Sequence, residues 1–234
     1  MARARIGRTL ASDVHVEIRH EILNGTIAPS ERIKLAETAQ RFEVSQSVVR
    51  DALMQLARQG FVVAEPQLGF RVREVSPTDL EEVTAVRILM ECKALELAVE
   101  RGEVAWLTEL VAAHFALSKT PMIDVDDVRG TTTEWADAHA RFHNLLIEGC
   151  GNTRLAELGV AVRDSAEIYV QWSDSHRVHR DIAKEHRDIV DAVVAGDGRR
   201  AAGFLREHLQ RTCDERVAYW YASRVDDLVE TAVV

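Results

Sequence analysis

Four of the nine histidines stand where their side chains could share one ion. His139 and His143 are four residues apart. On a helix of 3.6 residues per turn they point within about 40° of each other, so both rings can reach one point. His186 and His208 fall in two later helical segments, so three helices could bring four imidazoles to one interior site. Imidazole nitrogen suits Zn²⁺, Ni²⁺, Cu²⁺ or Fe²⁺ and makes a Ca²⁺ or Mg²⁺ site a poor match. Zinc or nickel is the expected ion. The spacing alone also fits a buried polar cluster that bonds water or an organic ligand with no ion.

A second chemistry lies in residues 45–56, SQSVVRDALMQL. Ser45 can cap a helix by accepting a backbone N–H from its first turn. Val49, Leu53 and Leu56, at spacings of four and three, form one buried stripe. Gln46, Ser47 and Arg50 point elsewhere, near the helix start. Arginine can bond guanine O6 and N7 together, and glutamine can do the same for adenine N6 and N7. A helix so equipped is suited to entering a DNA major groove by its N-terminal part.

These residues need a frame. Upstream, Val14, Ile18, Ile22 and Leu23 mark an amphipathic helix, ended by Asn24-Gly25. Pro29 and Ser30 make a turn, and Leu35, Ala39 and Phe42 mark a short second helix, with Glu43 in the tight connection that follows. Downstream, Gly60 stops the third helix. Phe61-Val62-Val63 and Phe70-Arg71-Val72 read as short strands joined through Pro66, Gln67, Leu68 and Gly69. Gly69 at such a tip would let the backbone approach a phosphate. This order describes a winged helix-turn-helix over residues 9–75. Ser76-Pro77 then starts a helical region. One long helix ends near Gly102, a second covers 103–117, and 118–128 is a loop. A third runs to Cys150, a fourth to about Trp172, a fifth from Val178 to Ala195, and a sixth starts at Gly198 with Asp197 as its cap. The expected fold is mostly α: a winged N-terminal domain followed by an all-α antiparallel six-helix bundle over 78–222, with a tail at 223–234.

Composition agrees. The chain has 234 residues, 47% of them hydrophobic, and only four prolines, which favours helices over a turn-rich sheet protein. Its net charge of −9 argues against nucleic acid until it is split. Residues 1–75 carry 11 Lys and Arg against 9 Asp and Glu, hence +2, and the remainder carries 18 against 29, hence −11. Arg3, Arg5 and Arg8 give residues 1–8 the character of a basic arm. Cys92, Cys150 and Cys213 are odd in number and widely spaced, as expected of core thiols in a reducing compartment. With no apolar run of ~18 residues and no secretion signal, a cytoplasmic protein without a membrane partner is expected.

Residues 9–75 resemble the N-terminal domain of GntR-family bacterial transcription regulators. The family pattern Ser-Arg-x-Pro-Val-Arg-Glu-Ala-Leu is met at Ser45, Val49, Arg50, Ala52 and Leu53, then at Leu56, Gly60 and the wing glycine Gly69. Gln46 replaces the usual Arg, Val48 the usual Pro and Asp51 the usual Glu. The last two are mild, and Gln46 is expected to alter base preference and weaken phosphate or guanine contacts. Residues 78–222 resemble the FCD effector-binding domain of the FadR-like branch. Its Asp-x-x-x-His pattern reads His139-Ala-Arg-Phe142-His143, closing at Gly151-Asn152. Its later patterns appear as Glu185-His186 with Ile189 and Ala195-Gly196-Asp197, and as His208-Leu209.

In metal-binding members one Asp and three His hold the ion. The resemblance therefore implies ligation by His143, His186 and His208, with His139 in the Asp position. Asp137 cannot replace that carboxylate, since it points about 120° away from His143 on the helix. Either the site is all-imidazole, or His139 turns out and water fills the gap. The resemblance also implies a small carboxylate effector that contacts the ion and Arg87. The local alternative is an Arg87–Glu91 contact one helical turn apart. Trp135, Trp172 and Trp220 could line the cavity or pack the core, and His176 and His179 belong to a solvated segment between helices.

The expected function is a homodimeric, ligand-responsive repressor. It would grip a palindromic operator with Arg50 and Gln46 on bases and Ser45, Ser47 and Gly69 on the backbone. Two rivals differ in class. A metal-sensing regulator would take the ion itself as signal. A metal-dependent hydrolase or isomerase would need a general base near the cluster; Glu185 adjoins His186 but diverges from it by about 100°.

Overall fold

The computed structural model describes residues 9–122, 132–172 and 180–231, with backbone alone at 170–172 and 224–231. Nine α-helices and three strands occur among the described residues. They fall into two compact units. The first comprises the chain up to Ser76 together with Asp164–Gln171, and the second the rest.

In the first unit, Thr9 caps α1 (Leu10–Leu23) by accepting the Ser12 N–H, and Val14, Ile18 and Ile22, four apart, form its buried face. Helices α2 (Leu35–Arg41) and α3 (Gln46–Arg58) follow, with Glu43 between them in a left-handed conformation, φ 54°. The sheet has the antiparallel order β1-β3-β2, built from β1 (Arg32–Ile33), β2 (Val62–Glu65) and β3 (Gly69–Val72). Glu65 pairs with Gly69, closing the β2–β3 hairpin with Gln67 at φ 63° and Gly69 at φ 93°. Phe61, expected in the strand, precedes it and is fully buried.

Strand β1 was not foreseen, because two residues are too short for a period-2 pattern. It sets Arg32 opposite Arg71, a like-charge cross-strand pair. Glu65 offsets the repulsion, accepting from Arg71 at 2.9 Å and lying 3.6 Å from Arg32.

The second unit holds the six expected helices, the last three residues of α7 excepted: α4 (Pro77–Arg101), α5 (Val104–Lys119), α6 (Thr133–Glu148), α7 (Thr153–Ala166), α8 (Ile182–Val194) and α9 (Gly198–Thr231). Leu95, Leu110, Phe142, Leu146, Ile189 and Leu205 are at the centre of its core. Cys92, Cys150 and Cys213 are buried free thiols.

Two expectations are corrected. Helix α7 stops at Ala166, short of Trp172, and Glu167–Trp172 is a 3-10 helix. β-branched and aromatic residues crowd there, and they lose rotamer freedom in an α-helix. Residues 164–171 group with the first unit, where Arg19 pairs with Glu167. Helix α9 continues through the residues read as a tail, to Thr231, because neither glycine nor proline interrupts it after Gly203. The arm at 1–8, His176, His179 and most of the expected loop at 118–128 lie outside the described residues. Among those described, no helix is long and apolar enough to cross a membrane.

Candidate metal centre and nucleic-acid interface

Three capped helices carry the histidines. Thr132 caps α6 by accepting the Trp135 N–H at 3.1 Å. Asp181 caps α8 through the Lys184 N–H at 2.8 Å, and Asp197 caps α9 through the Arg200 N–H at 3.0 Å. Each cap satisfies an orphan donor of a first helical turn and fixes where that helix begins. The register of every histidine follows from these starts.

One ligand atom from each of His139, His143, His186 and His208 lies within 4.8 Å of the others. Ring centroids are 4.4 Å apart for His139–His143, 5.1 Å for His139–His186, 5.2 Å for His143–His208 and 4.8 Å for His186–His208. His139 therefore turns inward, with Trp135 stacked on it at 4.5 Å. Asp137 is exposed, and the donor set is all imidazole.

Both ring nitrogens of His143 and Nε2 of His186 are buried without a hydrogen-bond partner. Such atoms cost about 1–3 kcal/mol each unless something satisfies them. Burial, then neighbouring rings and the charges of Arg163 and Arg87, push His139 well below the ordinary imidazole range. Burial and the same neighbours, Arg163 excepted, do so for His143. His186 is pushed down to about 2, chiefly by burial, and burial lowers His208 as well. Burial thus favours the neutral form of each ring, in which a nitrogen lone pair is available without prior loss of a proton. Convergent, neutral and partly orphaned nitrogens fit a borderline transition-metal cation.

Around the cluster, Arg87 pairs with Glu91 at 2.7 Å, and the two side chains are 11% and 1% exposed. The local alternative for Arg87 is thus present, though as a buried pair and not a surface contact. The Arg87 charge still acts on His139, His143 and His208. Arg163, buried on α7, donates to the Ala140 carbonyl at 3.4 Å and acts on His139. Sequence reasoning missed Arg163, because no spacing links α7 to α6. Trp220 packs edge-on against Tyr221, and the Trp172 side chain is outside the described residues.

Glu185 faces the cluster from behind. Its Oε2 lies 2.9 Å from His208 Nδ1, and it pairs with Arg180 and Arg211. Burial opposes its ionisation, but hydrogen bonds from His208 and Arg180, with the Arg180 charge, outweigh this and hold the carboxyl far below its ordinary range. Considered in sequence only as a base beside His186, it serves His208, a neighbour on the facing helix.

In the first unit, Ser45 caps α3: its Oγ accepts the Val48 N–H at 3.4 Å and lies 2.8 Å from Ser47 Oγ. Gln46, Ser47 and Arg50 are exposed while Val49, Leu53 and Leu56 are buried. No acidic residue occupies the first turn, so the partial positive charge of the helix N-terminus is free to meet a phosphate. A Cβ on Gly69 would meet nothing within 4 Å, so the glycine answers to its φ of 93° and leaves the wing tip clear.

A recognition helix with an antiparallel wing, joined to a six-helix domain with a buried histidine cluster, defines a class of two-part regulators. Residues 10–72 match the gntR family of bacterial regulatory proteins, and residues 82–211 match the FCD domain family. The chain belongs to the gntR family, in its FCD-domain branch. Relatives include the uncharacterised HTH-type transcriptional regulator BphR of Paraburkholderia xenovorans, 28% identical, over 87% of this chain and 83% of that one. The HTH-type transcriptional repressor GlaR of Escherichia coli is also 28% identical, over 82% and 89%. Among solved structures, E. coli McbR/YncC superposes with a TM-score of 0.71 at 19% identity, over 92% of this chain and all of that one. A GntR regulator from Rhodococcus sp. RHA1 gives 0.69 at 24% identity, over 89% and 97%. Family and relatives are transcription regulators, not enzymes, and this chain is a DNA-binding transcription regulator.

Proposed function

We propose that the protein is a homodimeric repressor whose helical unit binds a divalent transition metal and a small carboxylate effector. One observation carries this reading: four imidazoles converge, one ligand atom of each within 4.8 Å of the others, and buried ring nitrogens of His143 and His186 have no hydrogen-bond partner. His139, His143, His186 and His208 would hold the ion, zinc or nickel by the softness of the donors. Bound there, the metal supplies a Lewis-acid position for a carboxylate oxygen. Arg87 would meet the effector's remaining charge, drawn partly from Glu91. In the winged unit, Gln46 and Arg50 would read bases of a palindromic half-site, while Ser45, Ser47 and Gly69 hold the phosphate backbone. GlaR is named a repressor, which supports repression here. The effector would act by preferring one of two arrangements of the dimer, a shift of population.

The test is a titration of zinc-loaded protein against an operator selected from random DNA, with and without small carboxylates. Expected is a carboxylate that weakens DNA binding in the wild type and not in Arg87→Met or metal-stripped protein. DNA binding indifferent to carboxylates, metal and chelator alike would contradict the reading.

A further inference from the structure

The Arg180 guanidinium has five N–H donors, and the structure gives each an acceptor. Nε donates to Glu185 Oε1 at 2.7 Å. Nη1 donates to Thr212 Oγ1 at 3.0 Å and to Glu215 Oε2 at 3.1 Å. Nη2 donates to Glu185 Oε2 and to the His208 carbonyl at 2.9 Å. No Arg180 proton remains for His208 Nδ1, although Nη2 lies 3.1 Å from it. The ring nitrogen must therefore carry its own proton and donate it to Glu185 Oε2, 2.9 Å away. Nε2 is left with the lone pair, and the rings of His186, His143 and His139 have their centroids 4.8, 5.2 and 6.4 Å from that of His208.

From this we propose that Glu185 is a positioning residue for the metal centre, clamped by Arg180, which locks His208 in the tautomer whose Nε2 faces the cluster. Rested on the metal reading above, it further supplies from outside the coordination sphere the carboxylate that the all-imidazole ligand set lacks. Carboxylates behind ligating histidines fix ring orientation and raise ligand basicity, and losing one typically lowers metal affinity by about 10–100-fold. Position 185 is suited to this because it is one residue from His186 on α8, so a single helix presents one ligand and the support of another. Arg180, just ahead of α8, spans to Thr212 and Glu215 on α9 and fixes the carboxylate against the His208 backbone.

The test uses the full chain and two readouts. Ring ¹⁵N shifts of metal-free protein report the His208 tautomer, and zinc titration against a competing chelator reports affinity. Expected is a protonated Nδ1 with an unprotonated Nε2 in the wild type, and zinc affinity lower by about 10–100-fold in Glu185→Gln. Glu215→Gln, which weakens an Arg180 partner but does not touch His208, should leave the tautomer in place and cost far less affinity than Glu185→Gln, and Glu185→Asp should recover part of the affinity. Protonated Nε2 in the wild type overturns the inference, and needs no variant to fold. Equal loss in Glu215→Gln and Glu185→Gln overturns it too, since the effect would then pass through Arg180 alone. A wild type that takes up no zinc yet shows the expected tautomer would sink the metal reading while leaving the clamp on His208 standing.

Discussion

At the scale of single residues, the departure at His139 decides the chemistry of the cluster. An imidazole in place of the carboxylate expected from the family resemblance removes one negative charge, and the ring still turns inward beneath Trp135. His139→Asp should therefore move preference toward Mn²⁺ relative to Zn²⁺, as hard oxygen donors do. Competitive metal loading checks this, and an unchanged Mn/Zn ratio would count against ligation by position 139. Arg50 makes a separate claim. If it reads a base, Arg50→Ala costs about 1–3 kcal/mol at one operator position and relaxes sequence preference there. If it only neutralises a phosphate, affinity falls uniformly across sequences and the salt slope drops by about 1. Binding isotherms on an operator and its point variants, at several salt concentrations, separate the two. His139 and His143 were legible because i, i+4 spacing is a local property, and His186 and His208 because they match the family's later patterns. Arg163, Arg180 and the reach of Glu185 to His208 were not, since each contact joins different helices.

Among the elements, turns are where geometry constrains the sequence most sharply. Gly60 ends the recognition segment at φ 83°, and a Cβ there would come within 2.8 Å of Ser165 Cβ. Gly69 has a similar φ of 93° but open space around it. Gly60→Ala should thus combine backbone strain of about 1–3 kcal/mol with a steric clash, and Gly69→Ala the strain alone. Thermal denaturation should show the larger loss for Gly60→Ala, and an equal loss would mean that Ser165 yields freely. Helix order and some starts were readable from capping residues and apolar periodicity, as at Ser45 and Asp197. The caps Thr132 and Asp181 were not, and α8 starts after the expected Val178. Strand β1 was too short for any period, and the break of α7 at Ala166 falls where apolar periodicity continues but β-branched and aromatic residues crowd the helix.

Over the whole molecule, charge divides with function. Residues 1–75, the basic arm included, carry +2 and the rest −11, so the acidic excess lies outside the DNA-reading elements. The two units differ in what positions their working residues: helix N-termini and a wing in one, a buried convergence of rings in the other. That convergence is where an ion would be held, and metal content decides whether one is. Protein purified without chelator, measured by elemental analysis beside His143→Ala/His186→Ala, should hold about one zinc or nickel ion per chain, and the variant none. A wild type that remains metal-free after reloading with zinc or nickel would contradict metal binding and leave the cluster an organic pocket.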